Sequence, residues 1–185
     1  LMPIVSAMLE SAMNKINAKL SKLNVFGKAS LWAVRDTLRI FIVKIKSEGL
    51  ARFLEYESSG RIFYSDKDFK ALYKQAFIQA EIFRGNYGET LHKLSRGEYV
   101  APIRTFFEAN EYKIGLHMAY TIVYFDKDAE IISLIEIPPF RFIEKYEKLM
   151  EKHGDRPIIS LTSKRGIIDY SSVLESFAYA IKMLK

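Results

Sequence analysis

From Pro3 to Leu23, apolar residues recur at Val5, Leu9, Ala12, Ile16 and Leu23, with Met8, Met13 and Leu20 beside them. This three-to-four spacing predicts a helix with one apolar stripe. Pro3 suits its first turn, and Gly27 ends the segment. A second helix is predicted from a Ser30 cap through Leu31, Val34, Leu38, Phe41 and Ile45 to near Gly49. The β-branched run Ile40 to Val43 also fits a strand. Helical spacing is favoured because it gathers Arg35, Arg39 and Lys46 opposite the apolar face.

Beyond Gly49 the pattern shortens. Arg52–Glu57 and Arg61–Ser65 are β-like runs rich in Phe and Tyr, and Ser58-Ser59-Gly60 between them reads as a hairpin turn. Asp66 is expected to cap a helix that buries Phe69, Leu72, Tyr73, Ala76, Phe77, Ala80 and Ile82. Gly85-Asn86-Tyr87-Gly88 is expected to break it, with a shorter helix from Glu89 to Leu94 closed by Gly97. Pro102 opens a helix over Ile103–Asn110, with Phe106 and Phe107 in the core. The strongest hairpin signal follows: Leu116–Phe125, the turn Asp126-Lys127-Asp128, then Glu130–Ile137 stopped by Pro138-Pro139. A helix over Arg141–Lys152, a turn over Gly154–Pro157, a short buried strand over Ile158–Leu161 and a last helix from Asp169 or Ser171 to Leu184 complete the chain.

Hairpins in place of alternating β-α-β units predict an α+β fold: an antiparallel sheet built from hairpins, packed by helices, with an N-terminal helical extension. The division expected is a basic helical unit over 1–49 and an α+β domain over 50–185.

Charge sharpens that division. Residues 1–50 carry eight basic side chains against Glu10, Asp36 and Glu48, a net +5 of the chain's total +6, and the remaining 135 residues contribute only +1. A concentrated basic surface attracts polyanions, nucleic acid first and an anionic membrane surface second. At 185 residues the chain can bury a core unaided, and with no cysteine it has neither disulfides nor thiolate metal sites. No apolar run approaches the roughly 20 residues of a membrane helix, and the N-terminus lacks a basic n-region, so a cytoplasmic protein is expected. Abundant Ile, Lys, Glu and Tyr with scarce Gln is a bias of proteins from hot environments.

Candidate chemistry is sparse. His92, His117 and His153 stand alone, none at metal-ligand spacing from another, and the phosphate-loop, dinucleotide and nucleophile-elbow motifs are missing. The pairs Asp66/Asp68 and Asp126/Asp128 are explained by capping and turn chemistry. No catalytic residue, cofactor or metal is therefore assigned. The aromatic residues around the hairpins read either as core or as the lining of an apolar pocket.

Two stretches carry resemblances. "FLEYESSGRIFYSDKDFKAL" (53–72), followed by "IFRGNYGETLHKL", the hairpin 120–137 and the last helix "DYSSVLESFAYAIKML", resembles the four-vinyl-reductase-like family of small-molecule sensor domains, related in fold to transport-particle adaptor subunits. The family's zinc-binding cysteine cluster has no counterpart here. His117 lies in the neighbourhood of the histidine that contacts ligand in the phenol sensors. "SLWAVRDTLRIFIVKIKSEGLARFLEYESSGRIFYS" (30–65) looks like the recognition helix and wing of a winged-helix DNA-binding domain, in which basic side chains hold phosphates.

The function expected from all this is a small dimeric regulator that binds nucleic acid, DNA before RNA, through Lys28, Arg35, Arg39, Lys44, Lys46 and Arg61. Its second domain would take a small apolar ligand against Tyr64, Phe77, Phe107, His117, Tyr120 and Tyr124. The alternative is a non-catalytic dimeric adaptor or structural subunit that acts through protein–protein contacts.

Overall fold

The computed structural model describes residues 25–96, 111–161 and 165–183. The helices expected over Pro3–Leu23 and Ile103–Asn110, and the closing Gly97, lie outside them. The described chain is mostly helical, and this overturns the α+β expectation. In order come α1 (Val25–Ser58), α2 (Asp66–Ser95), α3 (Glu111–Phe125), α4 (Ile131–Glu136), α5 (Pro139–Lys152), the two-residue strands β1 (Ile159–Ser160) and β2 (Ile168–Asp169), and α6 (Tyr170–Met183). No antiparallel hairpin occurs among the described residues. The strands pair in parallel, Ile159 with Ile168 and Ser160 with Asp169.

Neither supposed hairpin forms, for physical reasons. In α3 every residue from Ile114 to Ile122 is buried, because α1, α2 and α5 all pack around it. A helix covered on all sides needs no polar face and loses the 3.6-residue period, so its apolar run is indistinguishable from a buried strand. The second arm, Glu130–Ile137, is the short α4, and Pro139 opens α5, where a missing N–H costs nothing.

Ser58-Ser59-Gly60 is a helix stop. Gly60 adopts φ +66°. Arg61 N–H donates to the Tyr56 carbonyl at 2.8 Å and Gly60 N–H to the Glu57 carbonyl at 3.1 Å, the bond pair of a Schellman cap. Residues 52–58 are thus the last turns of α1, and 61–65 form a connector without sheet pairing. Gly154, at φ +78°, ends α5 in the same way, with Asp155 N–H on the Met150 carbonyl at 2.9 Å.

The expected stops at Gly27 and Gly49, and the Ser30 cap, lie inside α1. The break over Gly85–Gly88 lies inside α2, which continues to Ser95, and the cap of α2 is Ser65, not Asp66. The Ser65 hydroxyl accepts from Asp68 N–H at 3.2 Å. The last helix starts as expected: Asp169 Oδ1 accepts from the backbone of Ser171 at 3.2 Å and of Ser172 at 3.4 Å. Val34, Leu38, Phe41, Ile45 and Phe53 of α1 join Phe69, Ala80 and Phe83 of α2, Ile114, Leu116, Met118, Tyr120 and Ile122 of α3, and Phe142, Tyr146 and Phe177 in one core.

Candidate functional site

Three of the six residues expected to bind an apolar ligand, Tyr64, Tyr120 and Tyr124, are stacked together, and His117 packs among other rings. His117 and Tyr120 have no exposed surface, so neither lines a cavity open to solvent. The His117 ring lies 5.3 Å from Phe69, 5.4 Å from Tyr73 and 5.6 Å from Tyr146, the last two edge-on. Its Nδ1 is 3.5 Å from Thr121 Oγ1, whose proton goes to the His117 carbonyl, and Nε2 has no partner. Burial lowers its pKa to about 3, so the ring is neutral at ordinary pH. Tyr120 stacks on Tyr64 at 5.8 Å and on Tyr124 at 5.5 Å. Its hydroxyl donates to the Ser65 carbonyl at 3.0 Å, and burial pushes its pKa up to about 12.

Tyr124 donates to Asp66 Oδ1 at 2.9 Å and Tyr64 to Glu57 at 2.5 Å. The Tyr120 bond to Ser65 holds the 61–65 connector against α3, the Tyr64 bond ties it to the end of α1, and the Tyr124 bond fixes the first residue of α2 beside it. Phe77 is exposed on α2, outside this cluster, and Phe107 lies outside the described residues. Two clefts bounded by described residues lie elsewhere. One of about 730 Å³ separates Leu91 and His92 of α2 from Glu175 and Tyr179 of α6. The other, about 450 Å³, lies beside Arg156 and Arg165. Neither touches His117, Tyr120 or Tyr124.

The basic residues divide as well. Arg35 gives Nε and Nη2 to Asp36 Oδ1 at 3.0 and 2.7 Å and lies 3.9 Å over the Trp32 ring. Lys44 reaches Glu111 at 3.4 Å. Lys46 donates to the Ile135 carbonyl at 2.6 Å and to that of Ile137, at the C-terminal end of α4, where a cation meets exposed carbonyls and the negative end of the peptide dipoles. Desolvation lowers its pKa. Arg39 and Arg61 remain exposed, Arg61 over the Tyr56 ring at 5.6 Å. Lys28 lies near the start of α1, and its side chain is outside the described residues.

Neither carboxylate pair converges on a shared site. Asp126 makes an ion pair with Lys145 at 2.8 Å, whose hydrogen bond holds the carboxyl below its ordinary range, and Oδ1 accepts from Asp128 N–H. Asp68 Oδ2 accepts from Phe63 N–H at 3.1 Å. Among the described residues no group of His, Asp and Glu is placed to hold a metal ion, and no helix is long and apolar enough to cross a membrane.

The feature that sequence reasoning missed is on the outside of α1. Trp32, Asp36, Arg39 and Val43 recur at i, i+4, i+7 and i+11, one stripe of the helix. The buried series Val34, Leu38, Phe41 and Ile45 is the same pattern shifted by two residues, about 200° around the axis and so on the opposite face. Trp32 is 45% exposed and Val43 47%, with Ile40 beside them. Lys46 ties α4 to this end of α1, and α4 adds Ile132 at 64% and Ile135 at 50% exposure. The signal was present in Ile40-Phe41-Ile42-Val43: four consecutive apolar residues on a helix cannot all face one partner. No family model, curated protein or solved structure matches the chain.

Proposed function

We propose that this chain is a non-catalytic helical adaptor or structural subunit that works through protein–protein contacts. The observation that carries this reading is α1 itself, whose outer face sets exposed Trp32, Ile40 and Val43 around Asp36 and Arg39 and is not covered by the described residues. A surface helix of a self-sufficient domain keeps its outer face polar, and contiguous exposed apolar side chains mark interaction surfaces. The tightly filled surroundings of His117 and Tyr120 also fit a scaffold better than a sensor pocket.

The second reading is the nucleic-acid regulator. The concentration of charge in residues 1–50 and the exposed guanidinium groups of Arg39 and Arg61 favour it. Against it stands the engagement of Arg35, Lys44 and Lys46 with partners inside the chain.

Fluorescence anisotropy of the full chain on a random DNA duplex and a matching RNA, at two salt concentrations, separates the two. The adaptor reading expects no binding at low salt. A complex that weakens steeply with salt, at about 0.9 power of salt per phosphate neutralised, and that Arg39→Glu with Arg61→Glu abolishes, would overturn it. These substitutions serve better than truncation at Gly49, which would remove Phe41 and Ile45 from the core.

A further inference from the structure

We infer that the uncovered face of α1 is the seat of a second copy of this chain, packed antiparallel about a two-fold axis near Thr37-Leu38, with Trp32 of each copy inserted between Val43 and Ile135 of the other. This rests on the adaptor reading and supplies its partner surface.

The exposed stripe has a large aromatic anchor at one end and an aliphatic seat at the other. Trp32 and Val43 are eleven residues apart, about 16 Å along the axis at 1.5 Å per residue. The two bonds from Lys46, one turn beyond Val43, to the Ile135 and Ile137 carbonyls bring the end of α4 to the Val43 end of the stripe. A surface with a knob and its socket at opposite ends matches its own copy when the copy is turned end for end, the geometry of an isologous interface.

Charge fixes the register. Between knob and socket lie Asp36 and Arg39, one of each sign. When Trp32 of one helix stands opposite Val43 of the other, Asp36 stands opposite Arg39, and the pair occurs twice across the axis. Arg35 already occupies Asp36 Oδ1, which leaves Oδ2 to accept from the second copy's guanidinium. A parallel or shifted pairing sets like charges or unmatched ends against one another. Tryptophan and arginine are the side chains that carry most binding energy at such interfaces.

Trp32 is the only tryptophan, so its emission reports this contact directly. Sedimentation equilibrium of the full chain across the micromolar range, read with Trp32 emission over the same series, is expected to show a monomer–dimer transition with a blue shift at one shared midpoint. Trp32→Ala, read by sedimentation, and Val43→Asp should each weaken the dimer at least about 30-fold. Asp36→Arg alone and Arg39→Asp alone should weaken it about tenfold, and the double exchange should recover most of that loss. All four side chains are at least partly solvent-exposed, so the monomer fold is expected to survive each change.

A chain that stays monomeric throughout overturns the inference, as does a dimer indifferent to Val43→Asp, or a charge exchange without recovery. A monomer whose Trp32 emission shifts blue on anionic vesicles assigns the face to lipid and overturns it too. The two readings fail separately. A monomer that ignores nucleic acid loses this interface and keeps the adaptor reading. A dimer of this geometry with salt-steep DNA binding keeps the interface and loses that reading.

Discussion

Gly49 of α1 and Gly115 of α3 meet backbone to backbone. A Cβ on Gly115 would lie 1.8 Å from the Ile45 carbonyl oxygen, and one on Gly49 would lie 2.3 Å from the Gly115 carbonyl carbon. Each glycine weakens its own helix by about 1 kcal/mol relative to alanine, and the close approach of α1 and α3 at the centre of the core is what offsets it. Gly49→Ala or Gly115→Ala therefore forces a backbone shift where α1 and α3 touch. Each is expected to destabilise by about 3 kcal/mol, read as a lower denaturant midpoint in urea. An unchanged midpoint would show that the helices part without loss.

Gly85 and Gly88 are the opposite case. Both sit inside α2, and a Cβ at either position meets nothing within 4 Å. Neither needs a positive φ. Gly85→Ala and Gly88→Ala are expected to stabilise by about 0.5 to 1 kcal/mol each, by removing backbone freedom from the unfolded chain. The double variant should show the sum, because neither new methyl touches a packing partner. A loss of stability would mean that α2 bends there in solution.

Those four glycines show what was legible in the sequence. Where an amphipathic period or a cap is local, reading succeeded: α5, expected over Arg141–Lys152 and found from Pro139, the turn at Gly154 and the Asp169 cap all stand. Gly49 and Gly85 look alike in sequence as helix breakers, but one is a contact between distant helices and the other an exposed interior position. Nothing within a few residues of either distinguishes them. The error over Leu116–Phe125 has the same origin. Burial on every side is a property of three neighbouring helices, and it erased the periodicity from which α3 would have been read. At the surface, Trp32 and Val43 fall outside the predicted apolar stripe of Leu31, Val34, Leu38, Phe41 and Ile45 and receive no role from it, because one sequence cannot say how many sides of a helix will be covered.

His117 gives a pH dependence with a definite sign. Its imidazole is held neutral down to about pH 3 in the fold, whereas an unfolded histidine takes its proton near 6.5. Between those values the unfolded state binds more protons, so the contribution of this residue is fully present above about 6.5 and falls by up to about 1.4 kcal/mol per pH unit as acid is added. His117→Met fills similar volume and removes the unpartnered Nε2. Urea unfolding of both proteins from neutral to acid pH should show the variant at least as stable at neutrality and increasingly favoured below. Carboxylates such as Asp126 titrate in both proteins and cancel in the difference. A difference that stays flat with pH would refute the neutral, buried ring.

Lys46 separates a structural role from a phosphate-binding one. Its ammonium ties the Ile135 and Ile137 carbonyls to α1, and α4 is only six residues long, too short to hold itself together. Lys46→Met keeps the aliphatic stem and removes the donor, leaving the exposed Ile135 carbonyl and the partly buried Ile137 carbonyl without their partner. The expected loss is about 1 to 2 kcal/mol, concentrated in α4 and visible as faster amide exchange over residues 131–137 than over α3 and α5. The same substitution bears on the dimer, because a loosened α4 no longer keeps Ile135 at the Val43 end of the stripe, so the monomer–dimer midpoint should move to higher concentration. If α4 exchange is unchanged while affinity for a DNA duplex drops, Lys46 serves phosphate and the regulator reading takes precedence.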